Sequence, residues 1–310
     1  MKKFFISIFL LLSFAHFISA QKSQSTQFLV VLGTAQDAGF PHIAAEDEFR
    51  EVEKNPKARQ KVVSLGLIDK NAKQKFLIEA TPDLPAQLFA LNKFLPSRQT
   101  LPDGVFLTHA HIGHYTGLMY FGREAVGARG VPVYAMPRME SFLNENAPWS
   151  QLISLKNIEI RKLKNEEIIA LNENLKVKPF LVPHRDEFSE TVGFEIAGRN
   201  KTAVFIPDID KWSKWNRDLK ELIKQADYAL VDATFYKNGE IPNRDMSEIP
   251  HPFVEETIKL LEDLPAGEKA KVIFIHFNHT NPLVRKNSRE RRDVLQKGFR
   301  IADEGMILDL

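Results

Sequence analysis

An α+β sandwich with its helices on the outside is the fold class this sequence predicts, and three observations predict it. Short apolar, β-branched runs and helix-spaced segments alternate along the chain in the order strands, helices, strands, helices. No repeat, low-complexity run or linker interrupts that order, which favours one domain over residues 21–310 rather than two. Several of the strand-like runs end in a histidine or an aspartate, as they would if their exits met at one edge.

The first twenty residues stand apart. Lys2 and Lys3 precede an apolar run from Phe4 to Phe17, and Ile18-Ser19-Ala20 closes it with a small residue. This pattern predicts a secretory signal peptide over 1–20, cleaved before Gln21, because the run is too short for a comfortable bilayer span. An uncleaved anchor is the competing reading. The expected location is therefore periplasmic or secreted, with no membrane span left after cleavage.

Phe28-Leu29-Val30-Val31-Leu32 reads as a first buried strand. The turn from Gly33 to His42 lacks the Lys-Ser/Thr ending of a phosphate-cradling loop. Residues 44–60 are charged and predict a surface excursion, followed by strands at 62–67 and 75–79 and a helix over 83–92. Gly104-Val105-Phe106-Leu107-Thr108 predicts a buried strand, and Leu118, Tyr120, Phe121 and Val126 predict a helix that Gly127 ends. Strands are expected at 131–135, 158–160, 175–182, 191–196, 202–206, 228–231 and 271–275, with helices near 214–226, 252–263 and 287–297. Lys286, Arg289, Arg291 and Arg292 read as the solvated face of the last helix.

A formal charge of +2, from 42 basic and 40 acidic side chains, offers no reason to expect nucleic acid as a partner. With no cysteine in the chain, any metal must be bound by nitrogen and oxygen, and a thiol nucleophile is excluded. No Gly-x-Ser-x-Gly elbow is present either. The partner is expected to be a small-molecule substrate, and the sequence carries no mark of oligomeric state.

Three of the nine histidines, His109, His111 and His114, fall within residues 109–114 at the exit of the 104–108 strand. Imidazoles at that spacing can turn inward onto one ion, zinc binding nitrogen at about 2.0–2.1 Å. His184, Asp208 and His276 each follow a later strand. Together these six residues supply ligands for one complete site and most of a second. His279 follows His276 by three residues and is a candidate for assisting the leaving group. His42, His251 and Asp232 are weaker candidates, and Asp186 and Asp210 could support a neighbouring imidazole.

This set resembles the metallo-β-lactamase superfamily, whose motif is His-x-His-x-Asp-His. The resemblance implies a four-layer αββα sandwich with the metal site at one edge between the sheets. It implies that His109, His111 and His184 hold a first ion, that Asp208 bridges, and that His114 and His276 serve a second. One position departs: Gly113 stands where the family has aspartate, so a second-site ligand that orients the nucleophilic water is expected to be missing. The segments at 33–41, 80–83, 114–118, 231–235, 279–282 and 302–306 are similar to the branch containing the pyrroloquinoline quinone biosynthesis protein B. That branch typically carries cysteines after its first glycine turn, and its biosynthetic members lack histidines that this chain has at the first motif.

These readings converge on an exported hydrolase that uses a metal-activated water on a small ester, lactam, lactone or phosphodiester. Zinc is the expected metal, as one or two ions, with iron or manganese as alternatives. Asp208 would orient or deprotonate the water, and His276 or His279 would assist the leaving group. The alternatives are a metal-dependent oxidoreductase or hydroxylase of the quinone-biosynthesis type, and a catalytically silent binding protein on the same fold. The export reading sets a first test. N-terminal sequencing of the secreted or periplasmic protein should start at or near Gln21, and a cytoplasmic protein retaining Met1 would remove it.

Overall fold

The computed structural model describes residues 25–96 and 99–310, so the signal segment at 1–20 lies outside the described residues. Its first half contributes strands β1 (Gln27–Gly33), β2 (Ser64–Asp69), β3 (Gln74–Ile78), β4 (Gly104–Phe106), β5 (Val131–Ala135) and β6 (Ile158–Lys162). Its second half contributes β7 (Ile169–Ala170), β8 (Lys176–Leu181), β9 (Val192–Ala197), β10 (Thr202–Ile206), β11 (Tyr228–Asp232), β12 (Val272–Ile275) and β13 (Arg300–Ile301), and β14 (Ile307–Asp309) returns to the first sheet. Two seven-stranded sheets result, ordered β14-β1-β2-β3-β4-β5-β6 and β13-β12-β11-β10-β9-β8-β7. The helices are α1 (Glu46–Lys54), α2 (Leu84–Asn92), α3 (Ile112–Tyr115), α4 (Pro137–Glu145), α5 (Trp149–Ser154), α6 (Leu219–Gln225), α7 (Val254–Leu260), α8 (Ala266–Lys269) and α9 (Arg289–Gln296).

The strands are apolar on both faces because both faces are covered. In β1, Leu29 and Val31 point into the core between the sheets, while Phe28, Val30 and Leu32 pack with α2, α4 and α5 outside. In the second sheet, Leu230 and Ile273 meet the inter-sheet core, whereas Ala229, Val231, Val272 and Phe274 pack with α6, α7 and α9. The layers are thus helix, sheet, sheet, helix, the αββα order that the resemblance implied.

Strand direction places the site. β1 is antiparallel to β2 and β2 to β3, while β3, β4, β5 and β6 are parallel, so β1, β3 and β4 all exit at one edge of the first sheet. In the second sheet β8 and β10 are each antiparallel to β9, and β10, β11 and β12 are parallel, so β8, β10, β11 and β12 share an exit edge. Ligand sites form characteristically at such carboxyl ends.

Several local expectations need correction. The helix expected after the histidines is only the single turn of α3, continued by a 3₁₀ segment at Thr116–Phe121. The charged excursion contains α1, and α4 and α5 occupy a stretch for which no element was predicted. Pro137 at the first turn of α4 was its available start signal. The helix expected near 214–226 begins only at Leu219, because the Asp218 side chain accepts the Lys220 N–H and caps it there.

Phe106 joins the layers immediately before the histidine loop. It stacks on Tyr134 at 4.2 Å and meets Phe194 of the opposite sheet edge-on at 5.7 Å. Phe106→Ala should therefore cost about 3–5 kcal/mol in denaturant unfolding. A loss below about 1 kcal/mol would mean that the sheets do not depend on this contact.

Candidate metal centre

The exit of β4 is held before any ligand is considered. Leu107 N–H donates to Tyr134 O at 3.1 Å within the first sheet, and Val192 N–H donates across to Thr108 O at 3.2 Å. Ala110 N–H donates to Ser189 Oγ at 2.9 Å. His109 and His111 lie on this loop and His114 lies in α3. That turn sits directly against the exit of β3: Ala80 N–H donates to His114 O at 2.9 Å, and Gly117 N–H donates to Ala80 O at 2.8 Å. A Cβ on Gly117 would lie 2.1 Å from the Thr81 carbonyl oxygen, so only glycine allows the approach.

Six of the predicted site residues come together here. His109, His111 and His184 form one group whose donor atoms all lie within 4.8 Å of one another; His109, His114 and Asp208 form another. His114 and His276 form a third group with Asp37. His184 and Asp208 form a fourth with His251. Asp208 reaches His114 Nε2 at 3.1 Å and His276 Nε2 at 3.2 Å through Oδ2, and His184 Nε2 at 3.7 Å through Oδ1. Asp37 Oδ1 is 3.3 Å from His114 Nε2.

These separations test the fit to a metal. Donors about 2.0–2.1 Å from one tetrahedral ion are roughly 3.3 Å apart, close to the 3.1, 3.2 and 3.3 Å found among Asp208, His276, His114 and Asp37. Although this close, Asp37 Oδ1, His114 Nε2, Asp208 Oδ2, His276 Nε2 and both ring nitrogens of His184 are buried without a hydrogen-bond partner among the described residues. Buried polar atoms are ordinarily paired. His109 Nε2 and His111 Nδ1 instead lie 2.8 Å apart, and His111 Nε2 is 3.1 Å from Glu187 Oε2. Donors that face a common centre rather than each other are what a divalent cation requires, so the residues around Asp208 fit one.

The opposite edges of the rings are fixed by partners that aim them. Thr108 Oγ1 lies 2.8 Å from His109 Nδ1, and the same hydroxyl donates to the buried Glu79. Glu79 Oε1 is 3.1 Å from His114 Nδ1. Thr234 Oγ1 is 2.9 Å from His276 Nδ1, and Asp232 accepts from that hydroxyl at 2.7 Å and meets His251 Nδ1 at 2.8 Å. Such partners set the tautomer and orientation of a ligating imidazole. Glu79 and His276 have φ of 78° and 69°, backbone strain stored where the site is built.

Charge follows from the same geometry. Burial pushes the His109 imidazole well below its usual range and His184 down to about 4, leaving both neutral and able to coordinate. Burial opposes protonation of His114, but the facing Glu79, Asp208 and Asp37 outweigh it and hold its pKa well above the usual value. Burial likewise opposes ionisation of Asp208, and His276, His114 and His109 outweigh it, keeping a carboxylate there.

One sequence reading changes. The gap expected opposite Gly113 is filled, since the Asp37 carboxylate from the loop after β1 occupies that space. Among the described residues His279 is in none of the metal-capable groups; its Nδ1 is 2.8 Å from Glu48 Oε1 and its ring stacks on His42 at 4.0 Å. Asp186 and Asp210 serve local bonds, to Thr191 Oγ1 and to the Lys211 N–H and Lys214. Asp37 and Glu79 are not marked by the local sequence pattern, although both follow strands that leave the same edge. His251 was undervalued because no strand precedes it.

A beta-lactamase superfamily domain model matches residues 74–277. Coenzyme PQQ synthesis protein B of Gluconobacter oxydans is 27% identical over 308 residues, covering 91% of this chain and 98% of that protein. The crystal structure of Zn(2+)-bound PqqB from Methylobacterium extorquens superimposes with a TM-score of 0.76 at 22% identity, covering 91% of this chain and all of that one (100%). A diphosphatase from the PhnP family superimposes with a TM-score of 0.61 at 23% identity, covering 91% of this chain and 96% of that one. At these identities the structural likenesses establish the fold.

His184 offers the clearest test of the centre, because both of its ring nitrogens are without partners. His184→Ala should remove tight metal binding at the group containing His109 and His111. A ligand bound only to the native state at 100 times its Kd adds about 2.7 kcal/mol, so that much stabilisation by metal should disappear. Unchanged metal content and melting temperature would make the cluster structural.

Proposed function

The chain belongs to the beta-lactamase superfamily, and on that premise we propose that it is a metal-dependent hydrolase acting on a small ester, lactam, lactone or phosphodiester. The observation that carries this reading is the set of buried, partnerless donor atoms gathered around Asp208. His109, His111 and His184 would hold one divalent ion, and His114 and His276 would serve a second, with Asp208 between them. Zinc is the proposed metal, with manganese or iron as alternatives. Such ions, when bound, lower the pKa of a coordinated water towards 7 and polarise the scissile carbonyl or phosphoryl group.

The protein's own residues divide the remaining work. Asp208, 3% exposed and kept ionised by the imidazoles around it, serves as a fixed negative charge rather than as a proton acceptor. Proton handling falls to His251. Its Nδ1 is committed to Asp232, and it lies 3.7 Å from Asp208 Oδ1, which leaves Nε2 to give a proton to a departing oxygen or nitrogen. Asp232 is itself fixed by the Ile209 and Thr234 backbone N–H groups, so this pair cannot drift.

Near full-length similarity to coenzyme PQQ synthesis protein B favours a second reading, a metal-dependent oxidoreductase or hydroxylase using the same ligands. A silent binding protein is disfavoured by a donor set that retains every predicted metal ligand. We further propose that the mature protein is exported, as the 1–20 segment suggests.

The hydrolase reading is tested by metal analysis together with hydrolysis of ethyl and p-nitrophenyl esters and phosphodiesters. Zinc-dependent, chelator-sensitive turnover is expected; iron content with oxygen consumption and no hydrolysis would favour the second reading. His251→Asn should keep the bound metal and slow ethyl substrates by about 10²–10⁴-fold. It should spare p-nitrophenyl substrates, whose leaving group departs without protonation. Equal loss on both would assign His251 to structure.

A further inference from the structure

The second metal group takes its carboxylate from an unexpected place, and the glycine in the histidine motif is the reason it can. A Cβ built on Gly113 would lie 2.2 Å from Asp37 Oδ1 and 2.5 Å from Asp37 Cα. The first contact could be relieved by rotating a side chain. The second is with backbone, and no side-chain rotation removes it. Any residue other than glycine at 113 therefore displaces the loop that carries Asp37.

That loop is well tied to the opposite sheet. Gln36 N–H donates to Phe277 O at 2.8 Å, Phe277 N–H donates to Thr34 O at 2.8 Å, and Asn278 Nδ2 donates to Gln36 Oε1 at 2.5 Å. Asp37 is thereby fastened to the segment that directly follows His276. Its Oδ1, buried and without a hydrogen-bond partner, faces His114 Nε2 and lies in one group with His276.

We propose that Asp37 and Gly113 are a reciprocal pair: the second-site carboxylate is delivered to the metal by Asp37, and Gly113 is the vacancy that admits it. This inference rests on the metal-centre reading above and adds its fourth second-site ligand. The site then consists of Asp37, His114, Asp208 and His276, with Asp37 and His114 from the first sheet and Asp208 and His276 from the second. An ion held there clamps the two sheets at their exit edge, and it does so through a loop outside the histidine motif.

The experiment loads the full chain with zinc alone, removes excess, and measures ions per chain and the zinc-dependent rise in melting temperature, with circular dichroism as the folding control. The parent should bind two ions. Asp37→Asn, which keeps the side-chain size, should retain the first ion and weaken the second by at least about 100-fold, since even the loss of a supporting partner costs 10–100-fold. Gly113→Asp alone should gain no metal and lose part of the zinc-dependent stabilisation, because the new side chain expels Asp37. Two tightly bound ions in Asp37→Asn, or a well-folded Gly113→Asp that binds zinc as the parent does, would overturn the proposal. A parent that binds no zinc would overturn the metal-centre reading with it. A parent whose single ion is lost in His184→Ala but kept in Asp37→Asn would leave the first site standing and remove only Asp37. If Gly113→Asp does not fold, Asp37→Asn decides alone.

Discussion

A buried carboxylate surrounded by imidazoles is the constraint on which this structure turns. Asp208 is 3% exposed and faces His109, His114, His184 and His276, while Glu79 and Asp232 are fully buried beside them. Uncompensated buried charge is costly enough that proteins normally pair or neutralise it. Without a cation the local answer is a proton on His114, whose affinity for it the three facing carboxylates raise. A divalent ion meets the same demand better, since it satisfies several donor atoms at once and releases that proton.

Everything around the site serves to hold those donors against relaxation. Left to themselves, neighbouring imidazoles and carboxylates would turn to hydrogen-bond one another. His109 and His111 do so at 2.8 Å, but His114 and His276 are held off because their far edges are already engaged, by Glu79 on the first sheet and by Thr234, backed by Asp232, on the second. The left-handed backbone at Glu79 and His276 is part of the same arrangement. Such strain persists only where the surroundings over-determine it. Here the surroundings are two sheets packed face to face through Phe106, Phe194 and their neighbours, with helices closing both outer faces.

The chain is similar over nearly its full length to coenzyme PQQ synthesis protein B and shares its fold with a diphosphatase, two proteins with different named roles. Fold alone does not choose between them. The local features that bear on the choice are the all-nitrogen-and-oxygen donor set, the paired groups sharing Asp208, and the His251–Asp232 pair beside them.

The sequence by itself determined the fold class and marked most of the candidate ligands. Apolar runs punctuated by turns marked the strands, and a polar, metal-capable residue just after an apolar run is a local signal; that signal located His109, His111, His114, His184, Asp208 and His276. The same reading marked His279 by its three-residue spacing from His276, and its Nδ1 lies 2.8 Å from Glu48 Oε1. What only the tertiary structure decided is which strand exits share an edge. Asp37 and Gly113 are 76 positions apart in the numbering (113 − 37), and their contact exists because β1 runs in the same direction as β3 and β4 across the first sheet. Glu79 and His251 became visible for the same reason. Strand direction and loop closure are long-range properties, set by pairing across the whole sheet, and no local pattern of residues encodes them.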